Sequence, residues 1–122
     1  MRKKKLAPQA LQSIFNREWK RAKRMCKPFF DSIRKPRLYV TKTLPHGWLG
    51  YHSGRNGMTM HKINGRWVSG DIIVIREDHT TSPDLINTLR HEICHVKHHN
   101  HKTGFQNMLR GLNEKAPSPE NA

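Results

Sequence analysis

The residues with the clearest chemical potential in this chain are two histidines and a glutamate that stand close together, His91, Glu92 and His95. On a helix of about 3.6 residues per turn, His91 and His95 lie one turn apart on the same face, so both imidazoles can bind one ion. Zinc accepts such nitrogens at about 2.0–2.1 Å. Glu92 lies about 100° round the helix, where its carboxylate can take a proton from water instead of binding the ion. This HExxH pattern predicts a catalytic Zn²⁺ site with Glu92 as the base.

A catalytic zinc site needs a third protein ligand and keeps one position open for water. His98 shares the helical face of His91, but it lies about 10 Å further along the axis at the rise of an α-helix, too far to share the ion. Asn100 is suited to a turn that brings the chain back. His101 is therefore the predicted third ligand, and His98 and His99 are expected to be solvated or to support the ligands.

Two features of this site stay open at the level of sequence. A glutamate from a later helix is the competing third ligand, and the candidates, Glu114 and Glu120, lie near the C-terminal end of the chain. Hydrolysis of a carbonyl compound also needs a donor that stabilises the developing oxyanion. Tyr51, His52 and His79 are candidates for this donor, although a structural role is the more common one for residues of these types.

Helices must position these residues, and the spacing of apolar side chains predicts three of them. The first spans residues 8 to 27. The second carries the predicted metal ligands and runs to about His99. Its start is indicated by Ser82, which can cap a helix, by Pro83, which fits a first turn, and by Asp84, whose charge suits the positive helix end. A short last helix carries the apolar side chains Phe105, Met108, Leu109 and Leu112.

Between the first two helices the hydrophobic period changes to two, which predicts β-strands at residues 38–41, 48–51, 58–63 and 71–75. Asn64-Gly65 is a strong hairpin signal, and it connects the third of these segments to Arg66-Trp67-Val68. The expected fold is therefore α+β: an N-terminal helix, a small and mainly antiparallel sheet, the metal-binding helix and a short C-terminal helix.

The length of 122 residues suits one domain. We expect a basic arm at residues 1–7, the domain at 8–114 and a disordered tail rich in Pro, Ser and Asn at 115–122. Only Cys26 and Cys94 are present, which favours a reducing compartment. No apolar segment approaches the ~20 residues of a membrane span, and no apolar core of a signal peptide follows the basic N-terminus. The expectation is an intracellular protein, cytoplasmic or nucleoid-associated, with no membrane partner.

The charge of the chain predicts a polyanionic partner. Lys and Arg number 23 against 9 Asp and Glu, a formal net charge of +14, which favours nucleic acid, DNA in particular. Basic residues also recur every three or four positions on the first predicted helix, opposite its apolar side. This basic stripe is either a solvated face or a surface for nucleic-acid phosphates, and it consists of Arg17, Lys20, Arg21, Arg24 and Lys27.

The order of these features resembles a known family. His91-Glu92-Ile93-Cys94-His95, followed by Asn100-His101 and Phe105, is similar to the SprT-like zinc metallopeptidases, which include Spartan-type DNA–protein crosslink proteases and the related YgjP-like metallopeptidases. That family also places a basic helix and a small sheet before the metal-binding helix. The resemblance covers roughly residues 10 to 112.

The resemblance implies a zincin-like fold and zinc-dependent hydrolysis of peptide bonds, with DNA-associated proteins as substrates. It implies that His91, His95 and His101 bind zinc, and that Glu92 is the general base and later the general acid. Larger relatives carry a zinc ribbon or a ubiquitin-binding tail, and neither is expected in this protein. The expectation is a minimal or phage-encoded form of the family.

Two other function classes remain as alternatives. The first is a non-catalytic, zinc-stabilised nucleic-acid-binding module, but a structural zinc site is closed by four protein ligands and needs no glutamate beside its first histidine. The second is a metal-dependent nuclease, whose residues are spread over a hairpin and a helix, unlike the run of histidines from His98 to His101. A metallopeptidase that acts on a protein or peptide is therefore the predicted function.

Overall fold

Three helices cover one face of a small sheet in the computed structural model, which describes residues 8–27, 29–53, 60–98 and 101–115. Single turns of 3-10 helix at Phe29–Ser32, Pro45–Gly47 and Glu77–Thr81 connect the regular elements. Those elements are, in chain order, α1 (Pro8–Met25), β1 (Arg37–Thr41), β2 (Gly50–Ser53), β3 (Met60–Ile63), β4 (Arg66–Ser69), β5 (Ile72–Arg76), α2 (Leu85–Lys97) and α3 (Thr103–Lys115).

The strands form two sheets. In the first, β5 lies between β1, to which it is parallel, and β2, to which it is antiparallel. In the second, β3 and β4 form an antiparallel hairpin around Asn64 and Gly65, whose φ angles of 52° and 83° are those of the predicted Asn-Gly turn. The α+β class is thus confirmed, and two of the three strand pairings are antiparallel as expected. The parallel pairing of β1 with β5, and the division into two sheets, were not predicted.

Strand β5 is the centre of the fold because both of its faces are apolar. Ile73 and Ile75 point into the main core with the three helices, whereas Ile72 and Val74 point to the opposite face, into a smaller core under the β3–β4 hairpin. All four side chains are fully buried. A continuous apolar run is typical of a strand that is covered on both sides. The main core contains, among others, Leu11, Phe15, Trp19, Phe30, Leu89, Ile93, Phe105 and Leu112.

Several predicted boundaries move by one or two residues. The second helix begins at Leu85 and ends at Lys97, and Ser82 stabilises the turn before it, since its hydroxyl accepts the N–H of Asp84 at 3.1 Å. The second strand lies at Gly50–Ser53 instead of 48–51. Lys115, predicted to begin the tail, is the last residue of α3. Both cysteines are free thiols.

Some expectations fall outside the described residues: the arm at 1–7, the tail from 116, the first two residues of the strand predicted at 58–63, His99 and the turn residue Asn100. Within the described residues, no helix is long and apolar enough to cross a membrane.

A buried ionic cluster joins the three helices next to the first histidine of the HExxH pattern. The carboxylate of Glu18 on α1, with 2% of its side chain exposed, accepts hydrogen bonds from Arg21 at 2.6 Å and from Arg90 on α2 at 2.8 Å. The two guanidinium groups also donate hydrogen bonds to α3: Arg21 to the carbonyl oxygen of Leu112, and Arg90 to the side-chain oxygen of Asn113. Since Arg90 precedes His91, this cluster holds α2 in register with its neighbours.

The same cluster corrects the predicted basic stripe. Arg17 is 57% exposed, whereas the side chain of Arg21 is only 10% exposed and is held inside the protein by Glu18. Arg21 is therefore not part of the solvent-facing surface. The exposed basic stripe consists of Arg17, Lys20, Arg24 and Lys27.

Candidate metal centre

Three imidazoles meet at one point beside α2. His91 and His95 are one helical turn apart, with ring centroids separated by 4.9 Å. His101 lies in the connection before α3, and its Nε2 is 3.3 Å from Nε2 of His91 and 3.0 Å from Nε2 of His95. One ligand atom from each of the three residues falls within 4.8 Å of the others. The predicted ligands are thus brought together, and they are close enough to hold a metal ion.

The imidazole of His95 is oriented by the backbone. Its Nδ1 lies 3.1 Å from the carbonyl oxygen of His98, the residue that follows the end of α2. Because a carbonyl can only accept, Nδ1 carries the proton and Nε2 keeps its lone pair, the form in which histidine binds a metal. His98 therefore supports a ligand, as predicted, but through its backbone instead of its ring.

Phe105, on the first turn of α3, packs against the whole cluster. The centroid of its ring is 4.8 Å from those of His91, His95 and His101. Phe105 is itself buried in the main core, so it joins the position of the three imidazoles to the packing of α3. The side-chain amide of Gln106 adds a hydrogen bond to the carbonyl of His101 at 3.1 Å.

Burial shifts the pKa values of three residues of the site, His91, His95 and Glu92. It lowers the pKa of His91, and it lowers the pKa of His95 to about 4. Both imidazoles are therefore neutral at pH 7, as metal binding requires, because a proton and a metal compete for the same lone pair. Burial also raises the pKa of Glu92, which is only 5% exposed, to about 7. A carboxyl with such a pKa can accept and return a proton near neutral pH.

The cluster opens into a cleft between α2 and β2. This cavity of about 430 Å³ is lined by the three histidines, by Glu92 and by residues of β2 and the turn before it. A Cβ atom at Gly50 would lie 2.9 Å from both Ile75 Cδ1 and the carbonyl oxygen of Val74, so glycine allows the close packing of β2 at this wall. Trp48, 46% exposed, stands at the mouth.

Comparison of the chain with protein-family models, with curated proteins and with solved structures finds no match. The resemblance to the SprT-like metallopeptidases and the zincin-like character of the fold therefore stay predictions. A function has to be argued from the chemistry of the site itself.

The structure separates the candidates for an oxyanion donor. His79 is buried, shares a 2.7 Å hydrogen bond with the hydroxyl of Thr88 and does not line the cleft, so its role is structural. Tyr51 and His52 both line the cleft. His52 is oriented by Asp71, whose Oδ1 lies 3.2 Å from its Nε2.

Sequence reasoning missed Asp71 and Trp48 as parts of this site. Asp71 reaches His52 because His52 pairs with Ile73, and Asp71 lies two residues before Ile73 on the same side of the strand. Only the register between β2 and β5 reveals this pair. The competing ligand Glu114 is exposed near the end of α3 and is not in the histidine cluster, while Glu120 is outside the described residues.

Proposed function

We propose that this protein is a zinc-dependent metallopeptidase. The proposal rests on one combination: His91, His95 and His101 converge in the same cleft that holds the buried carboxyl of Glu92. Three nitrogen ligands beside an open cleft suit a catalytic zinc, whereas a structural zinc is closed by four protein ligands. Imidazole also suits copper, iron and nickel. Zinc is the choice that fits a neighbouring general base and a hydrolytic reaction.

The residues of the cleft have different roles in the proposed hydrolysis. When bound, zinc would supply Lewis acidity that acidifies a water molecule and polarises the carbonyl of a peptide bond. Glu92 takes the proton that the water loses as its oxygen attacks the carbonyl carbon, and it then gives this proton to the departing amine. His52 lines the same cleft, and Asp71 accepts a hydrogen bond from its Nε2; in the imidazolium form its Nδ1–H can donate to the carbonyl oxygen of the substrate.

We propose further that the substrates are proteins associated with DNA. The net charge is +14. Of the exposed residues of the basic stripe, Arg17, Lys20 and Arg24 lie on α1, and Lys27 lies two residues after its end. Helix α1 packs against α2 and is joined to it by Glu18 and Arg90. A duplex or single strand held by α1 would therefore stay at a constant position relative to the cleft.

A second candidate function is a non-catalytic nucleic-acid-binding module that zinc stabilises. It is favoured by the origin of the ligands: His91 and His95 belong to α2, while His101 precedes α3. A bound ion would tie these two segments together and contribute to the stability of the folded state.

The substitution Glu92→Gln distinguishes the two functions, because it keeps the shape and polarity of the side chain but removes the group that accepts a proton. The variant should still bind one equivalent of zinc, but its rate of peptide hydrolysis should be about 10²–10⁴-fold lower than that of the wild type. Glu114→Gln, at an exposed position of α3, is the matched control and should keep full activity. Cleavage is measured on basic proteins bound to single- and double-stranded DNA, and as self-cleavage. A wild-type protein that binds zinc and DNA but cleaves none of these would support the non-catalytic module instead.

A further inference from the structure

A second cavity adjoins the candidate metal centre. Its volume is about 510 Å³, and it shares Trp48, Tyr51 and His52 with the cleft of the histidine cluster. The shared residues belong to β2 and to the turn before it, so the two cavities meet at β2. We call this second cavity the side-chain pocket.

The lining of the side-chain pocket is mixed: apolar surface predominates, and Thr41, Thr43 and Ser53 add polar groups. Leu44, Tyr51 and Ile63 line it and also belong to the smaller core under the β3–β4 hairpin, so its floor is continuous with buried apolar surface. Trp48 stands 6.2 Å from the ring of Tyr51 and remains 46% exposed. A concave apolar surface with an exposed aromatic side chain at its mouth is typical of a ligand-binding site, where the bound ligand shields the apolar surface from water.

The charge at the rim is positive. Lys62, on β3, is exposed and lines the same pocket. A cationic group in that position disfavours the entry of a lysine or arginine side chain, because like charges repel in a partly desolvated space. The pocket therefore discriminates by charge as well as by apolar surface.

A third, smaller cavity adjoins the metal cleft on the side of α2. A cavity of about 240 Å³ is lined by Asn87 and Thr88 of α2 and shares Trp48, Glu92 and His91 with the metal cleft. Trp48 thus borders all three cavities. The three cavities therefore meet at Trp48 beside the histidine cluster; the one on the side of the β3–β4 hairpin is larger and more apolar, and the one on the side of α2 is smaller and mixed.

We propose that the side-chain pocket binds a large apolar side chain of the peptide substrate, leucine to phenylalanine in size, at a residue next to the bond that is cleaved. This inference rests on the proposed peptidase function. Successive residues of an extended peptide are ~3.3 Å apart, so a peptide whose carbonyl lies at the histidine cluster places a neighbouring side chain in the adjoining compartment. The enzyme then cuts basic, DNA-associated proteins at their apolar residues and not at their lysines or arginines.

The test is cleavage of a peptide library by the zinc-loaded wild-type protein, with the residues on either side of the scissile bond varied one at a time. At one of these positions, Leu and Phe should be preferred over Ala by about 10–100-fold in kcat/KM, the range that burial of such side chains supports. Lys and Arg should be cleaved least. Equal cleavage of Ala and Leu at both positions would overturn the inference while leaving the peptidase proposal intact.

Two variants assign the preference to this pocket. Thr43→Trp, at an exposed position of its wall, should fill the space and remove the preference for Leu and Phe over Ala. Lys62→Glu should raise the cleavage of Lys and Arg peptides relative to wild type, whereas Lys42→Glu makes the same change of charge at an exposed residue outside the lining and should leave the preference unchanged. If neither Thr43→Trp nor Lys62→Glu alters the preference, another surface selects the substrate.

A binding experiment separates this inference from the peptidase proposal. Zinc-loaded Glu92→Gln is titrated into the same peptides carrying a fluorescent label, and binding is followed by the anisotropy of the label. Tighter binding of Leu and Phe peptides that disappears in the Glu92→Gln/Thr43→Trp double variant supports the pocket even where the wild type cleaves nothing. Equal affinity for Ala and Leu peptides overturns it.

Discussion

Nε2 of His101 lies 3.0 Å from Nε2 of His95, although His95 is part of α2 and His101 belongs to the connection before α3. Helix geometry alone brings His91 and His95 together, but His101 joins them only when α3 is docked through Phe105. The candidate metal centre is therefore a product of tertiary packing, and metal binding and docking of α3 should stabilise each other.

The first prediction concerns the ligand set. The wild-type protein should bind one zinc ion, and His101→Ala should weaken zinc binding by more than the ~10–100-fold that loss of an outer partner costs. His98→Ala is the control, because His98 contacts His95 through its backbone carbonyl, which this substitution keeps. Elemental analysis and competition with a chelator measure both quantities. Undiminished zinc affinity in His101→Ala would remove this residue from the site.

A second prediction follows from the burial of Glu92 and applies to the metal-free protein. Its pKa rises from 4.5 in the unfolded chain to about 7 in the folded protein. The folded state therefore holds the proton more tightly, and the stability that Glu92 contributes is full below pH 4.5 and is lost as the pH rises through 7. The difference between 4.5 and about 7 corresponds to about 3 kcal/mol in free energy of unfolding.

Glu92→Gln cannot ionise, so it should be more stable than the wild type at pH 8 by up to that amount and close to it at pH 4.5. Urea unfolding in the presence of a chelator measures the difference. His95 has the opposite dependence, since its pKa is lowered to about 4 and the stability it contributes is lost as the pH falls from 6.5 through 4. This contribution is common to both proteins and cancels in the comparison. A difference that does not vary with pH would show that Glu92 is not buried in its neutral form.

The third prediction is that Glu18→Gln strongly destabilises the fold. It removes the carboxylate that Arg21 and Arg90 share, and it leaves two largely buried guanidinium groups without their counter-ion. Breaking a buried ion pair in this way costs about 3–5 kcal/mol. Lys20→Gln, on the exposed side of α1, should change the free energy of unfolding by less than about 0.5 kcal/mol. Urea unfolding curves of the two variants compare them directly, and equal stability would mean that the cluster contributes little.

The fourth prediction is that the exposed basic stripe of α1 and of the turn after it carries the contact with nucleic acid. A triple Glu variant of exposed basic-stripe residues should bind all DNA sequences more weakly and to the same extent. The slope of log K against log salt should shrink by about 0.9 for each phosphate that the variant no longer neutralises. Its substitutions are at Lys20, Arg24 and Lys27. The control carries the same change of charge at exposed residues outside α1, which are Arg34, Lys42 and Arg66. Equal weakening in both variants would assign the binding to net charge and not to the basic stripe.

The features that the sequence by itself determined are those that depend only on residues near one another in the chain. The spacing of His91 and His95 places both imidazoles on one face because a helical turn is a property of neighbouring residues. The Asn64-Gly65 turn, the apolar run of β5 and the apolar positions of α3 are likewise visible without the rest of the chain. His101 was reached by a length argument, since the chain has to turn back after α2 to supply a third ligand.

Tertiary structure alone decided which distant residues meet. The parallel pairing of β1 with β5 depends on the path of the chain around the whole sheet, and Asp71 meets His52 through the register of β2 on β5. Arg21 has the spacing of a solvent-facing residue, yet Glu18 draws it inside, because a buried carboxylate needs a counter-ion and the helix period does not reveal which side chain supplies it. The side-chain pocket, too, exists only where β2, the turn at Trp48 and the β3–β4 hairpin converge. Such contacts join residues far apart in the chain, and no local pattern records them.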